Sequence, residues 1–329
     1  MQQGPGPHRA SYASAGVDVE AGERAVEALR PYAEKAGRPE VLGGIGGFAG
    51  LFAPRLARFR EPVLAAATDG VGTKVAVAQA VGKHDTVGLD LVAMVVDDLV
   101  VCGAEPLFLQ DYIAVGKVVP EQIATIVSGI AEGCRKAGCA LLGGETAEHP
   151  GLMQHGSYDL SATGVGIVDA DDLLRPERVR PGDVLVAMAA SGLHSNGYSL
   201  ARHVLLDIAH MSLHGHVEEF GHTLGEELLI PTRIYARDCL AVAAETDVRT
   251  FAHVTGGGLA RNLERVLPPG VEAVVERGSW TPAAVFGLIA ARGRVERAEM
   301  EKTFNMGVGM VACCPRRCDL QVILRRRVV

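Results

Sequence analysis

The sequence lacks several features that would each define a class of protein. No apolar run approaches the ~20 residues of a membrane-spanning helix, so we expect no membrane partner. The net charge is −7 and no basic block precedes position 316, so we expect no nucleic-acid partner. The start of the chain lacks the apolar stretch of a secretory signal, and residues 1–10 are predicted to be a flexible tail.

Signatures of several common chemistries are also missing. The seven cysteines show no metal-site pairing, so unpaired thiols in a reducing cytoplasm are expected. The GxxxxGK[ST] phosphate loop is absent. Ser191 and Ser195 lie outside any GxSxG motif, so serine hydrolysis is not indicated. No period of 20–50 residues repeats, which excludes a solenoid.

Glycine is abundant, at 40 of 329 residues, and it punctuates an alternation of strand and helix patterns. This alternation predicts an α/β fold of the α+β type with two domains, 11–170 and 171–329. The polar segment 169–184 is interpreted as the crossing between them. The predicted strands are 63–67, 107–116, 140–148, 157–168 and 184–191. The predicted helices are 19–35 with Asp18 as N-cap, 85–103, 120–138, and segments within 191–206, 231–245 and 253–267.

The stretch TDGVGTK (68–74) follows an apolar strand pattern. Gly70 and Gly72 permit the close approach of a ligand to the backbone, and Asp69 lies at the strand end, where α/β proteins commonly bind ligands. Lys74 could contact phosphate oxygens. A plain Asp-Gly turn remains the simpler interpretation of this motif taken alone.

Carboxylates in glycine turns and apolar helices favour a ligand site. Asp90 and Asp97 interrupt an apolar helix pattern with Asp98 beside them, and Glu145 follows a buried strand pattern. Charged groups rarely enter apolar surroundings without a partner, and Mg²⁺ takes hard oxygen ligands from a few carboxylates. The alternative is a set of surface carboxylates on a solvated helix face.

Three further glycine-rich segments could bind anions through backbone N–H groups. GGIGGFAG (43–50) is either an anion-binding loop or a disordered linker, because its GxGxxA match lacks a surrounding βαβ unit. SGLHSNG (191–197) and HVTGGG (253–258) are turns that open helices. His194 and His253 in these turns are either structural residues or proton carriers.

Taken in order, these blocks resemble the phosphoribosylformylglycinamidine cyclo-ligase family over about residues 11–312. The blocks are specific in combination, although each is weak alone. They are SYASAGVD, PEVLGGIGGFAGLF, REPVLAAATDGVGTK, HDTVGLDLVAMVVDDLVVCGAEPLF, GGETAEHPG, SGLHSNGYSL, PTRIY, HVTGGGLARNL and EMEKTFNMGVGM.

The resemblance implies a homodimer whose N-terminal sheets pair into a shared barrel, with α/β-layered C-terminal domains outside it. It implies ATP and Mg²⁺ as cofactors and formylglycinamidine ribonucleotide as substrate. The implied metal ligands are Asp69, Asp98 and Glu145, with Asp90 supporting. The implied ATP contacts are Gly43, Gly44, Gly46, Gly47, Asp69, Gly70, Gly72, Thr73, Lys74, Asp90, Gly144 and Glu145. The implied substrate contacts are Ser191, Gly192, His194, Ser195, Asn196, Gly197, Thr255, Gly256, Gly257 and Gly258. The expected catalytic residues are His253, His194 and Lys74.

The expected activity is ATP-dependent ring closure in purine biosynthesis by a cytoplasmic enzyme. Two alternatives remain: another ATP-dependent enzyme of the same superfamily, such as a small-molecule kinase, and a catalytically impaired dimeric homologue. The sequence departs from the family pattern in two places. Asp97 stands where the family usually has Asn, and metal binding is expected to survive this change. Residues 313–329 resemble nothing in the family, which suggests a frameshifted or truncated end that lacks one helix and one strand.

Overall fold

The structure, a computed structural model, describes residues 18–316. The predicted tail 1–10 and most of the atypical C-terminal segment, from residue 317 onward, lie outside the described residues. The strands are β1 Val41–Leu42, β2 Leu51–Phe52, β3 Pro62–Gly70, β4 Glu105–Val115, β5 Ala140–Glu148, β6 Tyr158–Asp169, β7 Val184–Ala189, β8 His216–Val217, β9 His222–Thr223, β10 Thr250–His253 and β11 Val308–Cys314. The helices are α1 Val19–Lys35, α2 Val75–Val81, α3 Asp85–Val101, α4 Pro120–Ala137, α5 Tyr198–Arg202, α6 Leu224–Leu228, α7 Ala236–Glu245, α8 Gly258–Glu264, α9 Ala284–Gly293 and α10 Arg297–Thr303.

The N-terminal half is built on a four-stranded sheet in the order β3-β6-β4-β5. The β4–β5 pair is parallel, and β6 is antiparallel to both of its neighbours. Helix α3 covers one face so closely that a Cβ on Gly164 of β6 would lie 2.6 Å from Val95. The opposite face is open: Leu64 is 66% exposed and Tyr112 is 41% exposed.

Helix α3 packs against α4 at a backbone-to-backbone crossing. A Cβ on Gly88 of α3 would lie 2.4 Å from the backbone nitrogen of Ile130, and one on Gly129 of α4 would lie 1.9 Å from the carbonyl oxygen of Asp85. Only glycine allows so close an approach, and it leaves α3 buried nearly all round, against α4 on one side and the sheet on the other.

Local signals determined the bounds of α1 and α4. The Asp18 side chain accepts a hydrogen bond from the Ala21 N–H, as expected of an N-cap. Helix α4 begins at Pro120 and ends before Gly138, which takes the left-handed conformation at φ +84°. Both helix predictions are confirmed.

The C-terminal half contains a three-stranded antiparallel sheet in the order β10-β11-β7. Its central strand β11 includes Cys313 and Cys314, which are buried and paired in register with Leu185 and Val184. These two cysteines therefore belong to the core sheet. All seven residues of β11 are buried, so both faces of the strand require apolar side chains there.

The described helices include none that is both long and apolar enough to cross a bilayer. None of the six cysteines between residues 18 and 316 forms a disulfide. The mixed α/β architecture is as expected. Strand β5 has the predicted bounds 140–148, but Gly143 and Gly144 lie inside it and form no turn.

Candidate functional site

The motif that ends β3 meets the second half of the chain at the junction of the two domains. After Gly70, residues Gly72–Lys74 form one turn of 3₁₀ helix leading into α2. The Thr73 hydroxyl lies 3.2 Å from that of Ser199, and a Cβ on Gly72 would lie 4.0 Å from the carbonyl oxygen of Ser195. Gly72 and Thr73 are exposed, so their backbone is open to a ligand.

His253 and Asp98 form an ion pair at this junction. The Nδ1 atom of His253, at the end of β10, lies 2.8 Å from Oδ1 of Asp98 on α3. The His253 side chain is 3% exposed and that of Asp98 is 46% exposed. Burial lowers the pKa of His253, but the hydrogen bond to Asp98 and the charges of Asp97, Asp98 and Asp69 outweigh it, so the pKa is raised above its ordinary value.

Asp69 completes an acidic pair with Asp98. Burial raises the pKa of Asp69, the hydrogen bond from the Gly70 N–H opposes this, and the nearby charge of Asp98 raises it further. Two neighbouring carboxylates disfavour each other's ionisation, and a divalent cation would relieve that repulsion. Mg²⁺ is commonly held by one or two carboxylates together with substrate phosphates, so Asp69 and Asp98 fit this ion. Within residues 18–316, no cluster of three or more possible metal ligands occurs.

Glu145 lies apart from this pair, contrary to expectation. Asp69 is on edge strand β3 and Glu145 on the opposite edge strand β5. Three interstrand spacings place the two strands about 14 Å apart. Asp69 and Asp111 both pair with Ala162, on the face covered by α3, whereas Glu145 pairs with the exposed Tyr112. Sheet register thus excludes one metal ion shared by Asp69, Asp98 and Glu145 of a single chain.

Lys74 and Asp90 are also placed differently from the prediction. Both side chains are 0% exposed and form a 2.8 Å ion pair. The three donors of the Lys74 ammonium go to Asp90, to the carbonyl of His194 and to the carbonyl of Ile230. The predicted contacts of Lys74 with phosphate and of Asp90 with metal are therefore corrected, because both side chains are completely buried and the three donors of Lys74 are all used within the protein. Oδ2 of Asp90 has no hydrogen-bond partner within residues 18–316, but it is buried as well.

His194 does not have the properties of a proton carrier. It is 2% exposed, adopts φ +63°, and its Nε2 accepts a hydrogen bond from the Ser191 N–H. Burial, with the positive charges of His253, Lys74 and Arg233, lowers its pKa to about 3. The ring is therefore neutral near pH 7, and this buried environment does not support the catalytic role expected of His194.

The two predicted substrate turns meet each other. A Cβ on Gly256 would lie 3.5 Å from Oδ1 of Asn196, so the two turns face one another across the junction. Other glycines in them are explained by packing: a Cβ would lie 2.4 Å from the Phe304 ring at Gly197, and 1.8 Å from the Glu301 carbonyl oxygen at Gly258. The remaining predicted contacts bond within the protein. They are the Ser191 hydroxyl to Pro231, the Ser195 hydroxyl to Thr232, the Thr255 hydroxyl to Asn262, and the carbonyl of Gly192 to Asn305.

A cavity lies at the β5 edge of the sheet, apart from the domain junction. Its volume is about 850 Å³, and it is lined by Gly46 of the glycine loop, by Gly144 and Glu145 of β5, and by Asp111 of β4. The loop connects β1 to β2, and Arg30 of α1 donates a hydrogen bond to the carbonyl of Ile45 within it. The predicted ATP-binding residues are thus divided between this cavity and the domain junction.

Asp111 was missed from the sequence. A Cβ on Gly144 would lie 2.0 Å from Oδ1 of Asp111, so the carboxyl group rests directly on the glycine backbone. Burial raises the pKa of Asp111 to about 7. The available signal was a charged residue inside the apolar strand pattern LFLQDYIAV, the same signal that drew attention to Asp90.

Comparison with protein families gives two matches along the chain. Residues 55–168 match the AIR synthase related protein N-terminal domain, and residues 180–323 match the AIR synthase related protein C-terminal domain. Phosphoribosylformylglycinamidine cyclo-ligase of Anaeromyxobacter sp. (strain K) is 55% identical over 302 residues, 92% of this chain and 87% of that protein. The protein of the same name from Brevibacillus brevis is 50% identical over 301 residues, again 92% and 87% of the two chains.

Solved structures with lower identity share the fold. Thiamine-monophosphate kinase from Stenotrophomonas maltophilia K279a superimposes with a TM-score of 0.59 at 19% identity, covering 91% of this chain and 89% of that one. E. coli HypE superimposes with a TM-score of 0.60 at 15% identity, covering 95% and 87%. A hydrogenase maturation protein HypE in complex with ATP gives 0.56 at 17% identity, covering 92% and 82%.

Proposed function

We propose a course for the reaction from the premise that this chain belongs to the phosphoribosylformylglycinamidine cyclo-ligase family. It is a carbon–nitrogen bond-forming ligase of purine biosynthesis that closes formylglycinamidine ribonucleotide to aminoimidazole ribonucleotide with consumption of ATP. An amide oxygen is a poor leaving group. In the proposed course, the γ-phosphoryl group therefore passes from ATP to the formamide oxygen. The amidine nitrogen then attacks that carbon, the five-membered ring closes, and phosphate leaves.

The observation that carries this proposal is the meeting of Asp69, Asp98 and His253 with the two glycine turns at the domain junction. Asp69 and Asp98 would hold Mg²⁺, which when bound neutralises charge on the transferring phosphoryl group. The exposed backbone of Gly72 and Thr73 would align the phosphate end of ATP beside them.

His253 is the proposed proton carrier. Its bond to Asp98 and its raised pKa favour the protonated ring. A protonated imidazole would stabilise negative charge during phosphoryl transfer. It would then give its proton to the departing phosphate and take up the proton that the amidine nitrogen loses on ring closure. Asp98 orients the ring through Nδ1, so its carboxylate would serve both the cation and the base.

The cavity at the β5 edge is proposed to bind another part of the nucleotide. Gly43, Gly44, Gly46 and Gly47 present a loop with little side-chain cover, whose N–H groups suit an anion or a base edge. Glu145 and Gly144 remain proposed contacts there, with Asp111 added to them. The phosphate end is assigned instead to the Asp69–Asp98 pair, because the width of the sheet separates the two places.

We also propose that two chains pair through the open face of the four-stranded sheet. Leu64 and Tyr112 are exposed on this face, and the Phe52 ring from the β1–β2 hairpin packs on Phe108 at 5.3 Å beside it. A sheet face that leaves large apolar side chains exposed is typical of a protein–protein interface, and pairing of two such faces would give the expected homodimer.

The reaction can be tested with purified protein, formylglycinamidine ribonucleotide and Mg-ATP. We expect aminoimidazole ribonucleotide, ADP and phosphate in equal amounts. Asp98→Ala is expected to lower kcat by at least about 10²-fold, because it removes both a cation ligand and the partner of His253. Mg-ATP should raise the melting temperature of the unaltered protein and have little effect on the variant.

Glu219→Ala provides the control. Glu219 is exposed, and its side chain makes no hydrogen bond or ion pair within the described part of the chain. Its variant should retain full turnover and the full thermal shift. Turnover by Asp98→Ala within about threefold of the unaltered enzyme would refute the assignment of the metal and of the His253 partner.

A further inference from the structure

We propose that Lys74 and Asp90 are positioning residues that hold the substrate turn 191–197 against the metal-binding carboxylates. The proposal rests on the function proposed above, because it concerns the binding of the same ribonucleotide. The sequence predicted that Lys74 and Asp90 contact ATP and its metal ion. Here the pair would instead act on the substrate through the backbone of the second domain.

The pair joins the two domains by a continuous set of hydrogen bonds. Lys74 Nζ donates to the carbonyl of His194 at 3.0 Å and to that of Ile230 at 2.7 Å. Asp90 Oδ1 accepts from the backbone N–H of Thr232 at 2.7 Å and from its hydroxyl at 2.6 Å. Both charged residues belong to the first domain, and every backbone group they hold belongs to the second.

The position of Lys74 connects this set to the catalytic carboxylates. Lys74 ends the TDGVGTK motif, whose second residue is Asp69, and Asp90 lies on α3 about two turns before Asp98. The substrate turn is therefore fixed to the two segments that carry the proposed metal ligands. Its conformation also needs support, because His194 stands at φ +63°, where a side chain is rarely accommodated.

The chemistry of the pair suits precise placement. Burial lowers the pKa of Lys74, and Asp90 opposes this, so the ammonium depends on its partner to remain charged. A protein often keeps its stability when a buried ion pair is replaced by well-packed apolar residues of similar volume, whereas removing one member is strongly destabilising. A double substitution that removes both charges can therefore separate placement of the turn from folding.

The test uses Lys74→Met/Asp90→Asn. Met fills the volume of the Lys stem without its donors, and Asn keeps an oxygen for Thr232. Only the carbonyls of His194 and Ile230 therefore lose their hydrogen-bond donor. We expect a cooperative thermal transition and a retained Mg-ATP shift, because Asp69 and Asp98 are unchanged. We expect KM for formylglycinamidine ribonucleotide to rise at least about tenfold while KM for ATP changes little.

The same two substitutions at a surface pair provide the control. Lys83 and Asp85 form a 2.9 Å ion pair with both side chains about half exposed. Lys83→Met/Asp85→Asn should leave both KM values unchanged, since exposed ion pairs contribute little.

A milder variant keeps the test decisive if the buried double variant does not fold. Thr232→Val removes the hydroxyl that donates to Asp90 and that also contacts the Ser195 hydroxyl of the substrate turn. It should raise KM for the ribonucleotide by roughly threefold or more with a near-normal melting temperature. Unchanged KM values in either folded variant would overturn the proposal. Unfolding of both would assign the pair to stability alone and would overturn it equally. Failure of the unaltered enzyme to form the imidazole product would instead count against the proposed function.

Discussion

At the scale of single residues, three aspartates of helix α3 have different environments. Asp98 is half-exposed and pairs with His253, whereas Asp90 and Asp97 are completely buried. Asp97 Oδ1 accepts the backbone N–H of Tyr235 at the start of α7, and its Oδ2 has no hydrogen-bond partner within residues 18–316. Asp97 therefore faces the domain interface and is not a candidate metal ligand.

Burial of Asp97 predicts that the free energy of unfolding depends on pH. Its pKa is raised from 3.8 to about 7 because burial disfavours the ionised form. A folded-state pKa above the unfolded one gives a contribution to stability that is present below pH 4 and lost as the pH rises to about 7. Asp97→Asn cannot ionise. It should be more stable than the unaltered protein at pH 8, by up to about 3 kcal/mol, with a much smaller difference at pH 4.5.

Urea unfolding at the two pH values would measure this difference. Asp172→Asn is a suitable control, because Asp172 is exposed and shows no side-chain hydrogen bond or ion pair in the described structure. Its effect should be small and independent of pH. An Asp97→Asn protein that is less stable than the unaltered one at pH 8 would contradict the assigned environment of Asp97.

The sequence identified which charged residues were unusual but not what each one contacts. Asp90 and Lys74 were correctly singled out, yet their partners lie at Ile230 and Thr232, more than 140 residues further along the chain. No local pattern contains that information. Asp111 gave the same signal as Asp90 and was passed over, because a single carboxylate in a strand pattern is also compatible with an exposed strand face.

At the scale of elements, the glycine crossing of α3 and α4 determines how the N-terminal helices pack. Gly88→Ala would place a methyl group 2.4 Å from the Ile130 nitrogen, a backbone atom that cannot move away alone. We expect a loss of about 2 kcal/mol or more in the free energy of unfolding, since overpacking typically costs 1–3 kcal/mol.

Gly22→Ala on α1 is the matched control. A Cβ on Gly22 would meet no atom within 4 Å. Alanine there should stabilise the protein by about 0.5–1 kcal/mol through its helix propensity. Denaturant unfolding of both variants would measure the difference, and equal effects at the two sites would show that the crossing does not constrain α3.

Helix bounds were the most predictable elements because their signals are local. The Asp18 cap, the Pro120 start and the Gly138 stop each act within one turn of the helix they delimit. Strand β5 was less predictable. Its Gly143 and Gly144 resemble a turn in sequence. The Asp111 carboxyl of the neighbouring strand leaves no room for a side chain at Gly144, a contact visible only once β4 and β5 are paired.

At the scale of the whole molecule, the open sheet face is a surface on which a single chain leaves large apolar side chains exposed. Leu64→Asp would place a charge on the open face, on its edge strand β3, within the proposed interface between two chains. We expect sedimentation equilibrium to show a dimer for the unaltered protein and a monomer for this variant, because burying an unpaired carboxylate is strongly unfavourable.

Val274→Asp tests whether any exposed apolar residue has the same effect. Val274 is 85% exposed in the C-terminal half, away from the open sheet face. This variant should remain dimeric. A monomeric unaltered protein, or a dimer that survives Leu64→Asp, would contradict the proposed pairing.

The large sequence separation between Asp90 and Thr232 has a consequence for the folding of this chain during translation. The two residues are 142 positions apart. At roughly 5–20 residues per second, a ribosome needs on the order of 10 s to span that interval. Throughout it, the nascent first half presents a hydrated lysine and aspartate amid apolar helix surface, so that this half reaches its final state only when the second half has been translated.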